Sequence, residues 1–232
     1  AFFLAHGLPF SSERYYDASG SLTYLAVNGL ALLADPLRHP RQIINGLLVS
    51  VWCTRLGAFL FTRIVRDGRD DRFASIKPNF TKWLGTWTIQ ALWVFLVMLP
   101  VLIINAQPAA AMPALGIRDF SGWALWGTGF LIEAVADAQK GAFKVSDEGR
   151  AGGFITSGLW AYSRHPNYFG EILMWSAMVL TCSAAFAHPI HWLGLLSPAF
   201  TAFLLLGVSG VPMLEEAGQK KWGHLHAYQH YV

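Results

Sequence analysis

Six apolar runs, at 22–34, 43–61, 84–104, 123–136, 172–187 and 190–208, constrain this chain more than anything else in it. A helix needs about 20 apolar residues to cross the hydrocarbon of a bilayer, and only helices or closed barrels satisfy their backbone there. Composition agrees, with 54% hydrophobic and only 13% charged residues, where soluble domains carry about a quarter charged. Mean hydropathy is positive, and the ten tryptophans suit membrane interfaces. The pattern predicts an all-α, polytopic integral membrane bundle of about six to seven transmembrane helices. No long linker or internal repeat interrupts it, so residues 1–232 are expected to form one domain. The run at 22–34 is short, and Tyr15, Tyr16 and Leu37 are expected to extend it into the interface. The chain starts at Ala1 without Met, so residues are expected to be missing from its front, and 1–10 reads as the tail of a lost span.

Charge sets the expected sidedness. The loop at 62–81 holds Arg63, Arg66, Arg69, Arg72 and Lys77 against Asp67, Asp70 and Asp71, while 105–122 carries only Arg118 and Asp119. By the positive-inside rule, that loop, the 137–170 stretch and the tail after Leu214 face the cytoplasm. Arg38 and Arg41 then fall on the opposite side, against the rule. The formal charge of +3 is too small and too scattered over loops to point to nucleic acid. Cys53 and Cys182 lie inside apolar runs and read as small buried hydrophobes, with no metal spacing around them. His188, His191, His224, His226 and His230 sit in turns or the tail, and no metal is expected. The sequence contains no nucleophile elbow, zincin motif, soluble dinucleotide fingerprint or phosphate loop. A nucleotide would therefore have to sit in a pocket built by membrane helices.

The polar stretch Tyr162-Ser163-Arg164-His165-Pro166-Asn167-Tyr168-Phe169-Gly170-Glu171 abuts the fifth apolar run. Ionisable groups are costly near lipid and usually functional. Pro166 suits the first turn of a helix, which sets Arg164 and His165 beside its N-terminus, where an anion such as phosphate is favoured. Asn167 and Glu171 share a helix face, and Gly170 leaves room for something to approach between them.

Arg55 interrupts the second run, where an unpaired charge would cost at least ~2.5 kcal/mol; it needs an internal role or a long reach to the interface. Glu133, Asp137, Lys140 and Lys144 form one helical stripe. Glu133 lies deep enough to suggest a pocket, whereas Asp137 and Lys140 could be a solvated pair. Arg150 stands in a Gly-rich stretch, 149–153, that either approaches a ligand or simply turns the chain. The tail, with Glu215, Glu216, Lys220 and Lys221, reads as an amphipathic helix with a solvated charged face.

The run from Gly158 to Glu171, with Trp175 one turn on, resembles the C-terminal domain of the steroid 5-alpha-reductase family. The likeness is closest to a bacterial branch long carried as a domain of unknown function. Trp52-x-x-Arg55-Leu56, Arg63 and Asp67-Gly68-Arg69-Asp70 are similar to that branch too. The Arg-His-Pro-x-Tyr core is shared more widely, by sterol reductases and isoprenylcysteine carboxyl methyltransferases.

The resemblance implies helices enclosing NADPH, which passes hydride to the double bond of an enone lipid such as a 3-oxo-Δ4 steroid. It places Asn167 near the nicotinamide, with Glu171 and Trp175 on the same helix beside cofactor and substrate. Arg55 falls in the cofactor pocket, Asp137 at the adenosine end, and Lys144 and Arg150 near phosphate. Arg164 and His165 would also hold the cofactor, while Trp52, Glu133 and Trp175 would border the substrate. Glu171 and Tyr168 are the candidate proton donors. The expected setting is the bacterial inner membrane, with the site open to the cytoplasm, membrane lipids around it and a role in lipid or steroid metabolism.

Two departures stand out. Ser209, Met213 and Glu215-Glu216 stand where the animal steroid reductases have Arg, His and Tyr. Trp52 replaces a tyrosine that helps polarise the substrate carbonyl, leaving an N–H as the only donor.

Glu215-Glu216, Trp222-Gly223, Tyr228 and Tyr231 look like the end of the methyltransferases. A rival is therefore an S-adenosylmethionine-dependent methyltransferase, with Glu215 or Glu216 on the amino group and His165 near the carboxylate. The several cations suit a pyrophosphate and a 2′-phosphate better than a cofactor with no phosphate. A third reading is a lipid-binding or scaffold protein whose buried charges are structural pairs.

Overall fold

A computed structural model describes residues 2–68, 70 and 73–232, and of Asp67 only the backbone. Arg69, Asp71 and Arg72 of the expected cytoplasmic loop thus lie outside the described residues. The described chain is helical with no strand, and it groups into two compact units.

The first unit, Ala1–Ala114 with Ala185–Gly194, holds α1 (Tyr16–Leu33), α2 (Pro40–Asp67) and α3 (Phe80–Asn105). Local chemistry sets the ends of α2. His39 accepts from the Arg41 N–H, Gln42 accepts from the His39 N–H, Pro40 fills the first turn, and Gly68 closes the helix at φ 75°. The buried Gln42 amide also donates to the Ile104 and Gln107 carbonyls at 2.8 and 3.0 Å, joining the start of α2 to the end of α3. Asn28 of α1 donates to the Gly46 carbonyl and the Ser50 hydroxyl, and Gln90 of α3 donates to the Tyr16 carbonyl at 2.7 Å. Such polar bonds glue helices where lipid removes the hydrophobic drive to associate.

Phe3 and Gly7 pack onto this unit. Trp83 donates its indole N–H to the Gly7 carbonyl at 2.9 Å, and Phe3 and Tyr16 flank the cluster of Phe73, Trp83 and Trp87. Glu13 takes Lys77 at 2.6 Å, and Arg63 meets both Asp17 and Asp70 at 3.3 Å, so the loop after α2 is tied back to the N-terminal segment.

The two arginines expected to run against the positive-inside rule both meet backbone carbonyls. Arg38 donates to the Ala31 and Leu32 carbonyls at the end of α1 and to Asn105 at the end of α3. Arg41, fully buried, donates to the Pro113 and Ala114 carbonyls at 3.1 and 3.2 Å. Arg38 in particular serves carbonyls at helix C-termini, where a cation is favoured.

The second unit, Leu115–Ala184 with Leu195–Val232, holds α4 (Ile117–Val145), α5 (Asp147–Arg150), α6 (Pro166–Ser183), α7 (Leu196–Phe203), α8 (Val211–Trp222) and α9 (His226–Tyr231). Buried Asp119 caps α4 by accepting from the Gly116 N–H at 2.9 Å. Helices α4 and α6 meet along a seam of small residues. A Cβ on Gly170 would stand 2.6 Å from the Gly129 carbonyl oxygen and 2.8 Å from the Glu133 nitrogen. One on Gly122 would stand 2.4 Å from Thr181. The space that Gly170 leaves is therefore filled by the backbone of α4, which is what approaches there. Close backbone approach through glycine is the usual means of packing helices in lipid.

Among the described residues, three segments are long and apolar enough to cross a membrane: Pro40–Arg66, Phe80–Asn105 and Pro189–Trp222. They contain the expected runs at 43–61, 84–104 and 190–208. The run at 22–34 lies in α1 up to Leu33, a helix that also carries Asp17 and Asn28, and that at 123–136 lies within α4, which carries Glu133, Asp137 and Lys140; that at 172–187 covers most of α6, with Glu171 at its edge, and ends beyond it. Of the residues expected to extend the first run, Tyr16 opens α1, while Tyr15 and Leu37 lie outside it. Both cysteines are buried and free, as their surroundings suggested.

Candidate functional site

The sequence places Pro166 at the first turn of α6, and it stands there. His165 is the N-cap residue but offers no side-chain cap; its own N–H is taken by the Ser163 hydroxyl at 3.2 Å. Its ring turns instead to Glu215, whose two carboxylate oxygens meet His165 Nε2 and Arg164 Nη1, each at 2.7 Å. Tyr168 stacks on the same imidazole, centroids 5.3 Å apart and nearly parallel.

In the same first turn of α6, Asn167 donates from Nδ2 to Oδ1 of Asp137 on α4, at 3.2 Å, and Asp137 is buried. Asn167 and Asp137, expected at the nicotinamide and adenosine ends of a cofactor, are instead in direct contact. Two polar atoms here are buried with no hydrogen-bond partner among the described residues: Asn167 Oδ1 and His165 Nδ1. A buried polar atom left unmade costs free energy and asks for a ligand or water.

Burial disfavours the charged imidazole of His165 and holds its pKa below the ordinary value, although Glu215 pulls the other way. At 2.7 Å the contact has ion-pair geometry, but burial outweighs it. The ring is best written neutral, with Nε2–H donating to Glu215 and Nδ1 a bare acceptor. The unfolded chain then binds the proton more tightly. The contribution of His165 to stability is present above pH 6.5 and lost as pH falls below it. Thermal unfolding in detergent is expected to show this acid-side loss in the wild type and less of it in His165→Gln. The groups that bear on the ring are Glu215, Lys140 and Arg164.

Other expected site residues take separate stations. Glu133 on α4 and Trp175 on α6 are almost fully buried, and Glu171 is half-buried. Lys144 and Arg150 are exposed at the end of α4 and on α5. Lys140 lies over the Trp160 ring, 4.7 Å from its centroid. Gly152, at φ 88°, closes the turn after α5, so the Gly-rich stretch at least turns the chain. Arg55 and Trp52 belong to the first unit. There Trp52 is buried edge-on to Tyr24 at 5.2 Å, and Arg55 is half-buried on α2.

The tail does more than the amphipathic reading allowed. Its charged face is exposed and carries the Lys220–Glu216 pair. Its aromatic face grips the loop that leads into α6. Trp222 donates to the Gly152 carbonyl at 2.6 Å, Tyr231 donates to the Trp160 carbonyl at 2.8 Å, and Phe154 packs against Trp222, Tyr228 and Tyr231. Burial pushes the phenols of Tyr228 and Tyr231 up, which keeps both neutral. Trp160 in turn donates to the Ala136 carbonyl of α4 at 3.0 Å. The tail aromatics were visible in the sequence, but no local spacing ties them to residues 152–160.

The fold and site define a helical protein with apolar segments of membrane-crossing length and a polar site at the start of α6. The chain belongs to the family described as Protein of unknown function (DUF1295), which it matches over residues 3–232. It is similar to Uncharacterized protein C594.04c of Schizosaccharomyces pombe, 25% identical over 197 residues, covering 74% of this chain and 54% of that protein. The chain thus spans about half the length of the curated relative it matches. No solved structure matches it.

Proposed function

We propose that the chain is an NADPH-dependent membrane reductase of the steroid 5-alpha-reductase type, acting on the carbon–carbon double bond of an enone lipid. The observation that carries the reading is Asn167: its Nδ2 is held by buried Asp137 while its Oδ1 is buried without a partner. A carboxamide N–H, such as nicotinamide carries, is a fitting donor for that oxygen. Bound NADPH would supply hydride to the β-carbon of the enone, with a proton added at the α-carbon, giving the saturated ketone and NADP⁺.

The chain's own groups would bind and orient. Lys144 and Arg150 are exposed cations suited to phosphate, and Arg164 and His165 stand at the start of α6. Asp137 fixes the amide of Asn167. Glu133 and Trp175, buried on α4 and α6, would border a water-poor cavity. Glu171, half-buried, and Tyr168, held on His165, are the candidates for delivering the proton. Arg55 as a cofactor cation and Trp52 as a substrate neighbour rest on the family resemblance. The same reading takes α1, α4 and α6 as further spans, for a bundle of about six to seven. It sets the protein in the bacterial inner membrane with the site toward the cytoplasm.

The runner-up is a methyltransferase using S-adenosylmethionine, favoured by one observation: Glu215 sits on His165, where that reading wants an acid. Proteoliposomes supplied with NADPH and a 3-oxo-Δ4 steroid are expected to yield a product richer by two hydrogens. A product that instead needs S-adenosylmethionine and carries an added methyl group would replace the reductase by its rival.

A further inference from the structure

We propose that Glu215 is a built-in counter-anion of the α6 entrance, occupying the place a phosphate group takes on binding, so that it sets how tightly this site holds an anionic ligand. The proposal rests on the reading of this place as a phosphate site and adds the residue that competes for it.

Both oxygens of Glu215 are used at once, one on Arg164 and one on His165, each at 2.7 Å. A carboxylate spanning an arginine and a ring N–H presents the same two acceptors as one edge of a phosphate. The place is therefore built for an anion and already holds one, supplied by the protein.

The contact is exchangeable. The Arg164 side chain is 41% exposed and that of Glu215 29%, so solvent and solute reach the pair. A pair so exposed contributes little by itself, because screening and side-chain entropy offset its Coulomb energy. A phosphate bearing more charge would outcompete it.

The exchange would also be local. The chain reaches Glu215 after a π-turn at Leu204–Val208 and a break at Gly210, features that re-aim a helix and recur at functional sites. Beyond Glu215 the tail is pinned independently, by Trp222 on Gly152 and Tyr231 on Trp160. Glu215 can leave Arg164 and His165 by rotating its side chain while α8 and α9 stay seated. What it leaves is a guanidinium and an imidazole, with Asn167 and its buried, unpartnered Oδ1 next along the helix.

A mere structural strut predicts the opposite response to loss of charge. The test is binding of inorganic pyrophosphate to the full chain in detergent, by calorimetry at fixed ionic strength, for the wild type, Glu215→Gln and Glu215→Asp. Gln keeps a hydrogen-bond acceptor and removes the competing charge, so Glu215→Gln is expected to bind pyrophosphate at least about tenfold tighter. Asp keeps the charge but cannot span both partners, and is expected to bind a few-fold tighter; it decides the matter if Glu215→Gln does not fold. Equal or weaker binding by a folded Gln variant, or by the Asp variant in its stead, overturns the proposal. NADPH titrated in parallel separates the two levels. Tighter pyrophosphate binding with no NADPH binding by any of the three would sink the nucleotide reading and leave the counter-anion standing.

Discussion

Gly170→Ala is expected to lower the melting temperature of the detergent-solubilised protein by several degrees or to prevent its folding. The added Cβ would fall 2.6 Å from the Gly129 carbonyl oxygen and 2.8 Å from the Glu133 nitrogen, both backbone atoms of α4. Neither can rotate away, so the helices must part along their seam. Overpacking of this kind costs about 1–3 kcal/mol, and more where backbone has to move. Parting the helices also disturbs the site, because Asp137 on α4 and Asn167 on α6 meet beside that seam. Gly127→Ala is the control: it lies on α4 with nothing within 4 Å of the added carbon, and alanine favours the helix. Its melting temperature should match or exceed the wild type. Equal melting of Gly170→Ala and wild type would mean that the seam is not packed as described.

The second large effect concerns Asn167. Asn167→Ala removes a side chain that joins buried Asp137 to the first turn of α6, and is expected to weaken NADPH binding at least about tenfold, the worth of roughly one buried hydrogen bond. Asp137→Ala should act through the same amide by leaving it unanchored. The two losses should therefore be less than additive in the double variant, as for groups that act as a unit. Fluorescence titration of NADPH with the four proteins measures this coupling. Full additivity would mean that the carboxylate does not position the amide, and unchanged affinity in Asn167→Ala would remove Asn167 from the site.

What was legible beforehand follows from how local each signal is. The start of α6 was readable because proline fits a first turn and little else in a helix, so Pro166 carried its own address. The three segments of membrane-crossing length were readable from continuous apolar runs. Arg38 and Arg41 could be placed only by the charge rule, and what they do was hidden. Their acceptors include carbonyls at the end of α3 and at Pro113 and Ala114, which come near only through packing. Gly170 was rightly seen as a place of close approach, yet a glycine does not tell ligand from helix, and the approaching group is α4. Glu215 stands 51 residues beyond Arg164, too far for any helical periodicity to connect them.

The most direct test of the central claim is a titration of the purified, detergent-solubilised chain with NADPH and, separately, with S-adenosylmethionine, following nicotinamide fluorescence and thermal stability. Saturable binding and stabilisation by NADPH, weakened in Arg164→Ala and Asn167→Ala, is the result expected of the reductase. Stabilisation by S-adenosylmethionine alone, with NADPH unbound, would contradict it.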